Sequence, residues 1–463
     1  MKASMYNFFF KYHAKKYLAY NSFSNAFAEV TDSEYKIIKK ILKSPDKFKY
    51  KTKKERKLRD SLIMGNYLID NDFDELTAIK FEYLSGRFDS SGLGLTLAPT
   101  MNCNFRCEYC YEEHLKVDMS EEVQLALIEM VKSYAPKITH LSIFWFGGEP
   151  TLKMDIIERL TKAFMKICKE NKIRYTASMV SNGYLINRKF AKRLKALKID
   201  SVQITLDGLK EIHDKRRPVV GGYGSFDRII KNMKEIADII SINLRINVDK
   251  TNYKDALDLL DYLKKQKLDG KVSPYFGVVT AYTDSCSNIA DSCFDNQEYS
   301  KAEVQMYKEA IKKGFTIAKY PYRIHGGYCT ADTLNSMVIS SNGAIFKCWN
   351  YITEEEKYAI GHLVKPDNKT YYYNLLGWMK HNILENPDCL ECEVLPICMG
   401  GCPYEVKVLQ HEKKCSTYKF NLIEMLKNYY EFRKLWDKKR KKLLKQKTVK
   451  KQPAKKRKTS KKK

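Results

Sequence analysis

Three cysteines within eight residues constrain this chain more than any other feature. Cys103, Cys107 and Cys110 lie in Met101-Asn102-Cys103-Asn104-Phe105-Arg106-Cys107-Glu108-Tyr109-Cys110-Tyr111, a C-x3-C-x2-C run. So short a loop can aim three thiolates at one point, and thiolates are ligands for iron–sulfur clusters or zinc. A cluster normally takes four thiolates, so three protein ligands would leave one iron free. A structural zinc loop is the alternative; it needs a fourth ligand, and His114 is close enough in the chain to serve.

The other cysteines strengthen the case for metal. Seven of the thirteen lie between Cys329 and Cys415, and only Cys168, Cys286 and Cys293 are scattered. The chain has no apolar run long enough to span a membrane, and its aromatic N-terminus lacks a cleavage-site pattern. A cytoplasmic protein is therefore expected, in a compartment that keeps thiols reduced, so clustering indicates metal rather than a disulfide framework. The formal charge of +28 is concentrated at one end: Lys438 to Lys463 carry sixteen Lys or Arg and no acid, and subtracting those leaves +12. That tail has no aromatic residue and contains Pro453, so it is expected to be disordered. It could be a solvated tail, a nucleic-acid patch or an attractor for an acidic peptide, but no nucleic-acid-reading domain accompanies it and no nucleic acid is expected as partner.

The chain divides into four parts. Residues 1–90 begin with short aromatic and aliphatic runs (Tyr6 to Tyr12, Tyr17 to Tyr20, Ala26 to Val30) that predict two or three small strands. Helices are predicted next, the first opened by the capping-box sequence Thr31-Asp32-Ser33-Glu34, others over about 54–64 and 73–85. Residues 91–315 alternate strands (93–98, 141–146, 173–180, 201–206, 242–248, 272–279) with amphipathic segments (120–134, 154–169, 187–198, 226–239, 252–265). Six such units imply an α/β fold, a parallel sheet curled into a partial (β/α)6 TIM-like barrel with its sites at the C-terminal strand ends. Residues 316–420 hold the second cysteine group, and 421–463 form a helix and the basic tail.

The cysteine loop follows the first barrel strand, and Phe146-Gly147-Gly148-Glu149-Pro150 follows the second. Paired glycines let a backbone approach a ligand closely, and Glu149 with the exposed carbonyls could accept hydrogen bonds from an ammonium group. Together, loop and turn resemble the radical S-adenosylmethionine (SAM) enzymes. That resemblance implies a [4Fe-4S] cluster on Cys103, Cys107 and Cys110, whose free iron chelates SAM. It also implies SAM contacts from Gly147, Gly148, Glu149 and Pro150, from Ser181 and Asn182 after the third strand, and from Asp207 at the end of the fourth. Tyr109 resembles the family's aromatic residue beside the adenine, and Arg216 or Arg217 could pair with SAM's carboxylate.

The second group reads Cys329-x18-Cys348, then Cys389-x2-Cys392-x5-Cys398-x3-Cys402-x12-Cys415, with a hairpin-like turn at Gly343. It resembles the SPASM extension of radical SAM enzymes, which holds two auxiliary clusters; two zinc sites are the alternative. By matched position, Cys389, Cys392, Cys398 and Cys415 would ligate one cluster, and Cys329, Cys348 and Cys402 the other. No cysteine follows Cys329 from Thr330 to Ser336, so the second cluster would have an open iron. Three [4Fe-4S] clusters and SAM are thus the implied cofactors.

Within this family, sulfatase maturases place an aspartate base after the residue matching Cys348; here it is Trp349. Lys347-Cys348-Trp349 instead looks like SPASM enzymes that crosslink ribosomally made peptides, and the first 90 residues look like their winged-helix-like leader-peptide module. A brace for the barrel is the other role for that module. The resemblance implies an oxidoreductase that uses a 5′-deoxyadenosyl radical to form a thioether or carbon–carbon crosslink in a precursor peptide. Its partners would be that peptide with its leader and a flavodoxin or ferredoxin as electron donor, with no membrane. A sulfatase maturase making formylglycine is the alternative enzyme, and a metal-stabilised nucleic-acid-binding protein is an alternative of another class.

Overall fold

The computed structural model describes residues 1–315, 317–352, 356–410 and 414–450, with side chains to 441. Strands β1 (Asn7–His13), β2 (Lys16–Asn21) and β3 (Phe27–Thr31) form an antiparallel sheet in that order. Alternation gives this sheet two apolar faces. Ala19 and Val30 pack with Ile38, Ile41 and Leu62 of the helices that follow. Phe10, Leu18 and Tyr20 join the main core. Helices α1 (Asp32–Lys43) and α2 (Lys53–Met64) each start with a capping box, at Thr31/Glu34 and Thr52/Glu55. Helix α3 (Glu75–Arg87) starts at Asp74, which accepts from two backbone N–H groups.

This module is bound to the rest of the protein by its polar groups as well. Tyr20 Oη donates to the Pro321 carbonyl at 2.6 Å, Ser22 Oγ to the Glu393 carbonyl at 2.6 Å, and Tyr320 Oη to the Asn25 carbonyl at 2.8 Å.

The barrel strands are β4 (Gly92–Leu97), β5 (His140–Trp145), β6 (Arg174–Ser181), β7 (Ile199–Leu206), β8 (Ser241–Val248) and β9 (Val272–Val278). They lie side by side in chain order, all parallel. Helices α4 (Glu121–Tyr134), α5 (Met154–Glu170), α6 (Arg188–Ala196), α7 (Lys210–Arg216), α8 (Phe226–Ile236) and α9 (Asp255–Lys265) link them. The core lies between sheet and helices, built from Leu93, Leu95, Leu97, Ile143, Trp145, Ile204, Leu244 and Ile246 with Leu127, Leu160, Leu194, Ile229 and Leu259. The alternate residues (Ser142, Phe144, Gln203, Asn243, Arg245, Asn247) point to the concave side, which is mostly polar.

The sheet does not stop at six strands. β10 (Ser336–Ile339) pairs parallel with β4, and β11 (Ala344–Phe346) and β12 (Gly361–His362) continue it antiparallel, giving nine strands. The hairpin-like turn at Gly343 joins β10 to β11, so the segment that carries Cys348 is an extension of the barrel sheet and covers its otherwise open β4 edge.

Helix α10 (Asn296–Lys312) packs against the C-terminal helix, with α11 (Lys369–Met379) between them in the chain; the C-terminal helix is α12 (Tyr418–Lys450). The disorder expected from Lys438 does not hold as far as Lys450, where the chain is helical. Lys, Arg, Leu and Gln favour helix, and the helix-breaking Pro453 comes later. The rest of the tail, 451–463, lies outside the described residues. No helix among the described residues is long and apolar enough to cross a membrane.

Candidate active site

The cysteine loop leaves the C-terminal end of β4 and returns along the ends of β7 and β8. Backbone hydrogen bonds pin it: Arg106 N–H to the Pro218 carbonyl (2.9 Å), Glu108 N–H to the Arg216 carbonyl (3.1 Å) and Cys110 N–H to the Cys107 carbonyl (3.1 Å). Burial pushes the Cys103 thiol up to about 12 and raises Cys107 and Cys110 as well. Thiols so placed ionise only when a cation or metal centre compensates the charge.

Gly147 and Gly148 lie against this loop. Gly148 N–H donates to the Thr100 carbonyl (3.2 Å) and Glu149 N–H to the Asn102 carbonyl (2.9 Å). A Cβ on Gly148 would lie 2.3 Å from the Asn102 carbonyl oxygen and 2.6 Å from that of Met101. Only glycine permits that approach. Pro150 begins a short 3-10 turn in which the Glu149 carboxylate accepts from Thr151 N–H (3.1 Å) and Oγ1 (2.5 Å). The same carboxylate accepts from Ser181 Oγ (2.8 Å) and Asn182 N–H (2.7 Å). Glu149 therefore ties the end of β5 to the end of β6; burial raises its pKa and these four bonds oppose that rise. Asn182 Nδ2 reaches Asn104 in the loop at 2.8 Å.

Tyr109 is a hub. Its hydroxyl lies 3.0 Å from Asp207 Oδ1, 2.6 Å from Arg217 Nη1 and 3.0 Å from Asn247 Nδ2. The two candidate arginines differ. Arg216 is committed to three carboxylates: Asp249 at 2.8 Å, Asp207 at 3.1 Å and Glu108 at 3.2 Å. Arg217 is buried beside Cys107 and within electrostatic reach of Asp207, but among the described residues it makes no ion pair and its Nε has no partner. Arg216 also keeps one unpartnered nitrogen, Nη2, so what sets Arg217 apart is that it makes no ion pair among the described residues. Polar residues at a strand end were the available signal for Asn247 and Asp249, but their partners, Tyr109 and Arg216, are non-local.

Glu112, two residues past Cys110, is buried, and burial alone pushes its carboxyl up to about 8. A carboxyl with a folded pKa above its unfolded one favours folding when protonated. The apoprotein should therefore lose stability as pH rises from about 4.5 to about 8. Thermal melts of apoprotein across that window check this, and Glu112→Gln should flatten the slope.

The second cysteine group forms two subsets. Cys389, Cys392, Cys398 and Cys415 line one cavity of about 360 Å³ together with Lys419. Ser416 N–H donates to Cys398 Sγ and Lys419 Nζ to Cys392 Sγ, both at 3.2 Å. Cys329, Cys348 and Cys402 lie within electrostatic reach of one another, and burial raises all three thiols. Tyr404 and Tyr351 pack beside them. Tyr111 lies near both Cys110 and Cys348, so this subset adjoins the first loop. Trp349 stacks on Phe146 (5.8 Å between centroids) and lies 6.1 Å from Phe144, placing an aromatic wall between the turn after β5 and Cys348. No arrangement of three or more His, Cys, Asp or Glu among the described residues would hold a single metal ion.

Comparison with known proteins agrees with this geometry. Residues 97–263 match the Radical SAM superfamily. The cysteine-type anaerobic sulfatase-maturating enzyme of Clostridium novyi is 25% identical over 336 residues, 67% of this chain and 87% of that one. The Fe-coproporphyrin III synthase of Methanosarcina barkeri is 31% identical over 173 residues, a match spanning only 40% of its length. Among solved structures, anSMEcpe with bound AdoMet and Kp18Cys peptide is similar with a TM-score of 0.57 at 21% identity, over 75% of this chain and 98% of that one. Streptococcus suis SuiB bound to the precursor peptide SuiA gives 0.51 at 18% identity, over 90% of this chain and 97% of that one. Residues 97–263, which hold the cysteine loop after β4 and the glycine turn after β5, are thus a radical SAM domain carried by this chain.

Proposed function

We propose that this protein is a peptide maturase that installs a thioether or carbon–carbon crosslink in a ribosomally made precursor. The observation that carries this is the N-terminal module, a three-stranded sheet with three helices and a short two-stranded ladder, docked on the segment leading to Cys329. The likeness to SuiB, solved with a precursor peptide, extends over 90% of the chain. In this reading β1 and β3 are sheet edges to which a leader strand could add.

The residues suit the cofactors. Cys103, Cys107 and Cys110 would hold the SAM-binding cluster, and Arg217 would pair with SAM's carboxylate. Cys389, Cys392, Cys398 and Cys415, gathered round a cavity rather than a point, would hold one auxiliary cluster. Cys329, Cys348 and Cys402 would hold the other, with one iron open to a substrate thiolate. When bound, the SAM site supplies a carbon radical able to take hydrogen from an unactivated carbon. The chain's own work is positioning: the polar concave face orients the peptide, and Phe144, Phe146 and Trp349 keep water from the space toward Cys348. The protein is proposed to act in the cytoplasm, with flavodoxin or ferredoxin as electron donor.

Co-expression with any short cysteine-containing reading frame beside the gene, followed by mass spectrometry, tests this. The peptide should lose the mass of two hydrogens per crosslink. Formylglycine on a cysteine-containing sulfatase peptide would instead favour a sulfatase maturase, the reading that the similarity to the Clostridium novyi enzyme supports.

A further inference from the structure

Arg245 pairs with no carboxylate among the described residues. It stands in the middle of β8, on the face opposite Leu244 and Ile246, which pack beneath the helices. Its Nε donates to Asn247 Oδ1 at 2.5 Å, and Asn247 Nδ2 reaches the Tyr109 hydroxyl at 3.0 Å. The guanidinium therefore lies on the concave wall, one strand step below the cysteine loop. Its surroundings differ from those of Arg216, which holds three carboxylates. Among the described residues Arg245 makes no ion pair, and its side chain's only hydrogen bond is the one to Asn247.

The neighbouring strand makes room for it. Across β9, a Cβ on Gly277 would lie 2.7 Å from Arg245 Cζ and Nε and 2.8 Å from Nη2. Arg245 is half-buried. The phenols of Tyr111 and Tyr282 are within reach of its charge, and Tyr282 is also close to Cys402. The group thus lies between the SAM loop and the Cys329, Cys348 and Cys402 subset. A planar guanidinium with free terminal nitrogens is shaped for the two oxygens of a carboxylate.

We propose that Arg245 reads a side-chain carboxylate of the peptide substrate, an Asp or Glu, near the reacting carbon. This rests on the peptide-maturase reading above. SAM also carries a carboxylate, and the experiment separates the two sources.

A random peptide library displayed on its own mRNA is captured by reconstituted wild-type, Arg245→Glu and Gly277→Ala holoenzymes, and SAM binding to each is measured by calorimetry without peptide. Wild type should enrich an acidic residue at one position by about 10- to 100-fold, the scale of a charged hydrogen bond. Arg245→Glu should replace that preference with Lys or Arg. Gly277→Ala, which keeps the charge but crowds it, should weaken the acidic preference. SAM affinity should change less than ~2-fold in both variants, a difference well below one charged hydrogen bond. The same preference in wild type and Arg245→Glu, or no acidic position in either, overturns the proposal. A comparable loss of SAM affinity in Arg245→Glu overturns it too, by assigning the residue to SAM. If wild type enriches no peptide, the peptide-maturase reading itself fails, and this assignment with it.

Discussion

Alanine in place of Cys103, Cys107 or Cys110 will abolish reductive SAM cleavage. In the proposed reading each thiol would be one of three protein ligands in a loop held by the ends of β4, β7 and β8, and a neighbouring backbone amide cannot substitute for a thiolate. Iron should fall by about four atoms per chain, the content of one [4Fe-4S] cluster. The remaining iron should stay, because Cys389, Cys392, Cys398 and Cys415 line a separate cavity. Iron and sulfide analysis with chromatographic detection of 5′-deoxyadenosine checks both parts. Undiminished product from the triple variant would remove the loop from the chemistry.

Gly148→Ala should be nearly as damaging with no ligand lost. The added methyl would meet the carbonyl oxygens of Asn102 and Met101 at 2.3 and 2.6 Å, and these are backbone atoms with no rotamer to escape into. Relief requires moving either the turn after β5 or the segment that leads into Cys103. Overpacking of this kind costs about 1–3 kcal/mol. The expected result is a lower melting temperature, reduced iron in the first loop and at least a tenfold loss of 5′-deoxyadenosine, on the order of 1.4 kcal/mol. An Ala variant with wild-type cluster content and rate would mean that the close approach does not position the loop.

Much of the barrel was legible in the chain because its strands are short apolar runs separated by amphipathic helices. The run expected over 242–248 is β8, Ser241–Val248, and that expected over 141–146 is β5, His140–Trp145. Thr31 and Glu34 mark the start of α1 because capping chemistry is local. What escaped was non-local. Four residues, Ser336–Ile339, carry no information about which sheet edge they will join, yet they pair with β4 and bring Cys348 toward the first cysteine loop. Nothing in Arg216-Arg217 says which arginine will face three carboxylates and which will keep a free Nε; that depends on Asp249, more than thirty residues on. The Glu149 carboxylate is held by Thr151 and by Ser181 and Asn182, the last two more than thirty residues on. The tail from Lys438 looked disordered by charge, but its helix-favouring residues extend α12 to Lys450.

The central claim is that the loop after β4 performs radical SAM chemistry, and one assay addresses it directly. Anaerobically reconstituted wild-type protein is mixed with SAM and a strong one-electron reductant, and both cleavage products are quantified over time. Equal amounts of 5′-deoxyadenosine and methionine, formed only when the reductant is present, are the predicted result. Protein that retains its iron and binds SAM yet forms neither product would contradict the claim.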